Sequence, residues 1–262
     1  MSDNKFSKGE AIRFGWDRMK DNLGFFIVYL IILFSVEFFF SAFAGLFEDS
    51  LPFLSFIFNV GYWIVIIISS LFVVKIGLRL YDQNKIGSYD FLSFTSSLFI
   101  KFLLGYILYW FFVLIGPYLW KVLYEYSVLK YQTDTYYIFM LIGFLVLIIV
   151  STYLAIKYQF AFYLIVDKNM DVFEAFKESG RLTDGYKWTL LLFLIVLLIM
   201  GLIGAMVFLV GLFVTIPIAM VALAHVYKQL SALTSNVVTA STAVPPDMPA
   251  SDNPFQPPAP IS

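Results

Sequence analysis

The sequence predicts an all-α protein, a polytopic membrane helix bundle of about six transmembrane helices in three hairpins, each preceded by a short amphipathic cytoplasmic helix. Three observations carry that prediction. Apolar runs of span length follow one another along the chain, Lys and Arg gather on alternate connections, and the composition is 61% hydrophobic, 20% aromatic and only 13% charged. Charged residues make up roughly 25% of an ordinary soluble domain, so a water-soluble fold has no way to cover this much apolar surface.

Crossing about 30 Å of hydrocarbon takes about 20 helical residues at 1.5 Å each. The runs at 23–47, 53–80, 98–119 and 137–166 all meet that length. In the first, Ala42, Phe43 and Ala44 resemble a signal-peptidase site. A polar lead of about 22 residues and an apolar stretch beyond the ~7 to 15 of a signal peptide argue instead for a retained helix. The fifth run, 188–227, is about twice a single span. It carries Gly201, Gly204 and Gly211, and also Pro217, which has no amide hydrogen to donate inside a helix. It reads as two helices joined by a very short apolar turn near Gly211; one span followed by a re-entrant piece is the competing reading.

Charge encodes orientation, because short translocated loops lack Lys and Arg while cytoplasmic ends retain them. Lys5, Lys8, Arg13, Arg18 and Lys20 precede the first run. Lys75, Arg79, Lys85 and Lys101 surround the second connection, and Lys157, Lys168, Lys177, Arg181 and Lys187 surround the fourth. The connection at 48–52 and the turn near Gly211 have none, and the third connection has Lys121 and Lys130. The alternation works only for an even number of spans, with both termini in the cytoplasm. Tyr118, Trp120, Tyr124, Tyr126, Tyr131, Tyr136 and Tyr137 ring the third connection, as amphipathic aromatics do at the headgroup level.

Each pair of spans follows a polar segment. Ser7 and Glu10 form a capping box, after which Ile12, Trp16, Met19 and Leu23 recur at helical spacing. From Asp171 a second such helix sets Val172, Phe173 and Phe176 against Lys177, Glu178 and Arg181. The middle segment, 88–97, is shorter and carries Tyr89, Phe91, Leu92 and Phe94. Helices of this kind lie in the interface plane; they serve either to aim the next span or to dock a partner or a second copy of the chain. Residues 1–230 thus form the membrane domain. From Ser231 the composition turns to Pro, Ser, Ala and Thr, and 231–262 reads as a disordered Pro-rich cytoplasmic tail.

The stretch YLIVDKNMDVFEAFKESGRLTDGYKW, residues 163–188, resembles the signature of a large family of uncharacterised bacterial membrane proteins. That family is related to the membrane domain fused to some glycerophosphodiester phosphodiesterases. EAIRFGWDRMKDN at 10–22 and TIPIAMVALAHVYKQL at 215–230 are similar to it as well, so the resemblance spans most of 5–230. Gly180 stands where that pattern leads one to expect an aromatic residue. The resemblance implies a six-helix protein of the cytoplasmic (inner) membrane. It implies no diesterase activity, because the catalytic domain with its metal-binding Glu and His residues is missing from this sequence.

Chemistry-bearing motifs are few. The chain has no cysteine and one histidine, His225, which rules out thiol chemistry and gives no basis for a histidine-based metal site. There is no Gly-rich phosphate loop, no Gly-x-Ser-x-Gly elbow and no His-Glu-x-x-His. A net charge of −1 provides no basic field for nucleic acid. No cofactor is expected, and the partners expected are membrane lipids. The candidate intramembrane functional residues are Glu37, Asn59, Ser69, Ser70, Pro217 and His225. Glu37 lies about 14 residues into the first run, roughly 20 Å from its inner end and near the bilayer midplane. An acidic residue there costs about 2.5 to 3.5 kcal/mol, so it is expected to face the bundle interior, protonated or hydrogen-bonded to Asn59, Tyr62, Ser69 or Ser70. Two functions remain open: a non-catalytic structural, regulatory or envelope-support component, or a transporter or lipid-handling protein using a midplane site around Glu37.

Overall fold

The computed structural model describes residues 7–86, 95–128, 134–207 and 210–242. Nine helices and no strand are present among them: α1 (Lys8–Asp21), α2 (Leu23–Leu46), α3 (Pro52–Asp82), α4 (Ser96–Val128), α5 (Asp134–Tyr158), α6 (Ala161–Lys168), α7 (Val172–Leu182), α8 (Lys187–Met206) and α9 (Leu212–Thr242). Six stretches are long and apolar enough to cross a membrane: Leu23–Leu46, Pro52–Asp82, Ser96–Glu125, Tyr137–Lys168, Lys187–Met206 and Leu212–Ser235. The chain is a helical multi-pass membrane protein. Consecutive spans pack together, α2 on α3, α4 on α5 and α8 on α9.

Local signals explain most boundaries. Ser7 caps α1, its Oγ accepting the Glu10 amide at 3.3 Å. At the far end Asn22 donates to the carbonyls of Arg18 at 2.9 Å and Asn84 at 3.0 Å, and accepts the Ile86 amide at 3.3 Å. One buried side chain thereby ties the α1–α2 junction to the segment after α3. Pro52 opens α3, where a missing amide hydrogen costs nothing. Asn169, in the left-handed region at φ 50°, ends α6.

α1 lies across α9 and buries Ala11, Gly15 and Met19, one every fourth residue. A Cβ on Gly15 would stand 2.6 Å from the Ile218 carbonyl oxygen, so only glycine allows this approach. The fifth apolar run does split into two span-length helices: the chain reverses between Met206 and Leu212. A Cβ on Gly204 would lie 2.7 Å from Thr215 Oγ1, so the two helices meet at a residue without a side chain.

Buried side chains concentrate at one end of the bundle. The larger cluster joins Phe102, Leu164, Ala175, Phe193 and Tyr227 from α4, α6, α7, α8 and α9 with Phe160, which lies between α5 and α6. A smaller one joins Met19, Phe26, Ile76, Leu80, Ile218 and Val221 from α1, α2, α3 and α9. Toward the other end the spans present bare hydrocarbon: Phe38 is 75% exposed and Phe53 77%. Hydrocarbon is the natural solvent for such a surface, and in water it would be a large exposed patch.

Three boundaries depart from the sequence reading. The fourth run is broken at Gln159 and Phe160, dividing α5 from α6; Phe160 is fully buried, and its packing fixes the turn. α4 does not stop at Leu119 but continues to Val128 with Pro117 inside it, so Tyr118, Trp120 and Tyr124 sit on a helix rather than in a loop. The last helix does not end at 230: α9 runs through Ser231 to Thr242. No proline interrupts the chain between Pro217 and Pro245, so nothing in 231–242 stops the helix. The expected disordered tail therefore begins too early by that stretch, and 243–262 lies outside the described residues. Most of the middle polar segment, at 87–94, lies outside them too.

Candidate functional site

Cross-helix polar contacts collect at the end that carries the Lys and Arg residues. On α9, the Tyr227 hydroxyl donates to Asp167 Oδ2 at 2.8 Å, and Lys228 Nζ pairs with Asp167 Oδ1 at 2.8 Å and with Asp82 at 3.8 Å. The Asp167 carboxylate on α6 thus takes a neutral and a cationic donor from one turn of α9. Lys101 on α4 pairs with Asp171 at 2.8 Å and donates to the Asn169 carbonyl at 3.0 Å. Asp171 precedes α7 without capping it through its side chain, so its carboxylate serves Lys101. Ser179 on α7 donates to the Lys157 carbonyl at 2.9 Å, and Thr183 to the same carbonyl at 3.3 Å. These bonds lock α7 against the end of α5.

Between α4, α5, α7 and the start of α8 lies a cavity of about 650 Å³. Its wall carries the cations Lys157, Lys177, Arg181 and Lys187, the acid Asp184, and the rings of Tyr153, Tyr158, Phe173 and Phe176. Gly180 forms part of the floor. A Cβ there would stand 3.2 Å from Lys157 Cε, so its missing side chain leaves room for the lysine stem to cross α7. Arg181 pairs with Glu178 at 3.0 Å and Lys187 with Asp184 at 2.8 Å. The Lys187 hydrogen bond and charge hold the Asp184 carboxyl below the usual carboxylate range. Lys157 and Lys177 have no carboxylate partner among the described residues.

The six candidates from the sequence are not brought together. Asn59 donates to the Ser55 carbonyl at 3.0 Å, and Ser55 Oγ in turn donates to the Ala44 carbonyl at 2.8 Å, joining α3 to α2. Ser69 and Ser70 both donate to the Ile66 carbonyl, at 2.9 and 2.8 Å, on their own helix. Glu37 is half-buried on α2 and forms no hydrogen bond or ion pair among the described residues. Pro217 sits within α9 beside the α1 contact, and the helix is continuous through it. His225 is buried, with Phe14 and Tyr81 at ring-centroid distances of 4.6 and 5.5 Å, and neither of its nitrogens finds a hydrogen-bond partner among the described residues. Among the described residues no three His, Asp or Glu side chains converge as a metal site would require.

Sequence reasoning missed Asp167, Tyr227 and the cationic cavity. The signal was present: Lys177 and Arg181 are four residues apart on α7, one turn along the same face. Compared with models of protein families, with curated proteins and with solved structures, the chain matches none of them.

Proposed function

We propose that the chain is a non-catalytic component of the cytoplasmic membrane that works through its inner face, with both termini in the cytoplasm. In this reading the six spans form three hairpins, and α1 and α7 are amphipathic helices lying at the inner interface, α1 across α9 and α7 against α5 and α6. Its role is structural or regulatory, in support of the envelope, and it engages lipids and a protein partner or second copy through that face. The resemblance to the membrane domain associated with glycerophosphodiester phosphodiesterases supports the location.

The observation that carries this reading is where the bonded polar groups are. Asp167, Tyr227, Lys228, Lys101 and Asp171 join separate helices at the Lys- and Arg-rich end, which the positive-inside rule assigns to the cytoplasm. A second reading, a transporter or lipid-handling protein with a midplane site, is favoured by one observation, the absence of a hydrogen bond or ion pair for Glu37 among the described residues. Complementation of a deletion phenotype separates the two. With the inner face at work, Glu37→Gln complements fully and Lys157→Gln/Lys177→Gln does not. The reverse pattern, in folded proteins, overturns the proposal in favour of the midplane site.

A further inference from the structure

The cationic cavity does not end at its charged wall. Tyr153 and Lys187 also line a second, adjoining groove of about 570 Å³ between α5 and α8. That groove is apolar: Ile148, Ile149, Ile156 and Leu191 line it, and Ile149 is 68% exposed on the outer surface of the span. At the junction Lys187 Nζ lies 5.4 Å from the Tyr153 ring centroid, so the cation sits where the polar wall gives way to hydrocarbon. Phe173 on the chamber wall and Trp188 on the groove wall are 80% and 78% exposed, as suits aromatic side chains among headgroups. The shape is that of an amphiphile: a cationic chamber at the interface, continued by an apolar channel along a span.

The electrostatics specify the sign of the headgroup. Four cations face the chamber and Asp184 is the one acid on its wall, already engaged by Lys187. Glu178, outside the wall, engages Arg181. Two ammonium groups, on Lys157 and Lys177, have no carboxylate at ion-pair distance among the described residues, Lys157 acting on Asp184 only at longer range. Basic pockets between spans on the cytoplasmic side are suited to anionic headgroups, because the phosphate supplies the missing counter-charge at low local dielectric.

We propose that the chamber and groove together hold one anionic phospholipid, its phosphate among Lys157, Lys177, Arg181 and Lys187 and one acyl chain along α5 and α8. This rests on the reading of the Lys- and Arg-rich end as the inner face only for the choice of leaflet. The ligand chemistry stands on the cavity itself. Lys157 and Lys177 give the free charge, Arg181 a planar fork for two phosphate oxygens, and Lys187 marks the depth of the glycerol backbone.

The test uses the full chain in a mild non-ionic detergent, with bound ligand counted by native mass spectrometry. The probes are dioleoyl phosphatidylglycerol, dioleoyl phosphatidylcholine and inorganic phosphate. Each surface cation contributes about a factor of five, so phosphatidylglycerol is expected to bind on the order of 20-fold more tightly than phosphatidylcholine, at one per chain. Lys157→Gln/Lys177→Gln brings phosphatidylglycerol to the level of phosphatidylcholine, and Lys157→Arg/Lys177→Arg keeps the preference. Equal binding of the two lipids by the unaltered chain overturns the proposal without recourse to any variant. So does undiminished phosphatidylglycerol binding by the double glutamine variant. Inorganic phosphate binding as tightly as phosphatidylglycerol overturns the lipid assignment, because the apolar groove would then contribute nothing. In detergent the result is independent of orientation, so a failure here leaves the inner-face reading standing, and a failed topology leaves the lipid site standing.

Discussion

The two ends of this bundle are built from the same apolar alphabet and held in different ways. At the end near Asp167, buried aromatics and ion-paired carboxylates from six helices interlock, and α1 presses glycine to backbone against α9. At the end near Phe53, most side chains face outward and the helix contacts are those of neighbouring spans. The difference teaches that lipid supplies no drive to bury apolar surface, so a membrane protein is fixed where it has close backbone approach and charge-assisted bonds. Lys101 and Lys228 make such bonds, each fastening two helices.

The comparison breaks most readily at Gly15. Gly15→Val places a methyl-bearing Cβ into the Ile218 carbonyl, and overpacking of this kind costs about 1–3 kcal/mol or more. The expected result is loss of monodisperse protein in detergent, or a large fall in apparent Tm; an unchanged Tm would mean that α1 is not seated on α9. Tyr227→Phe comes next. It removes the bond to Asp167 while keeping the ring, for an expected loss of about 1.5–3 kcal/mol. Phe53→Ala, at the other end, should move Tm by no more than about 0.5 kcal/mol equivalent, the range of surface changes. Comparable losses from the two would erase the distinction between the ends.

Smaller effects sharpen it. Ser69→Ala and Ser70→Ala delete bonds to a carbonyl on the same helix, and each is expected to change stability by under about 0.5 kcal/mol in thermal denaturation. The smallest belongs to Asp184. Its carboxyl is held below the usual range by Lys187, so the contribution is present above the ordinary carboxylate pKa of about 3.9 and disappears as pH falls through the depressed value. Because Asp184 is fully exposed, salt screens the effect. Asp184→Asn should leave Tm unchanged at neutral pH in high salt, and a marked drop there would show that the pair carries structural load.

Much of the fold was legible because hydrocarbon thickness makes span length a hard constraint. The doubled run at 188–227 split near Gly211, as expected. The break at Phe160 was not legible, since what turns the chain there is burial among α4, α7 and α9, which no local pattern records. The candidate polar residues were chosen by depth in the membrane. Depth says nothing about partners, and Ser69, Ser70 and Asn59 turn out to bond to backbone carbonyls of their own helix. Lys157, Lys177, Arg181 and Lys187 were visible as charge but not as a cavity, because their convergence depends on α7 folding back onto α5.

The central claim is that the bonded, cation-rich end faces the cytoplasm, and single-cysteine labelling in intact cells tests it most directly, since the chain has no cysteine of its own. Asp49→Cys and Gly211→Cys should react with an impermeant maleimide added outside, while Lys8→Cys and Glu178→Cys should react only after the membrane is permeabilised. Labelling of the Glu178 position in intact cells would contradict the account.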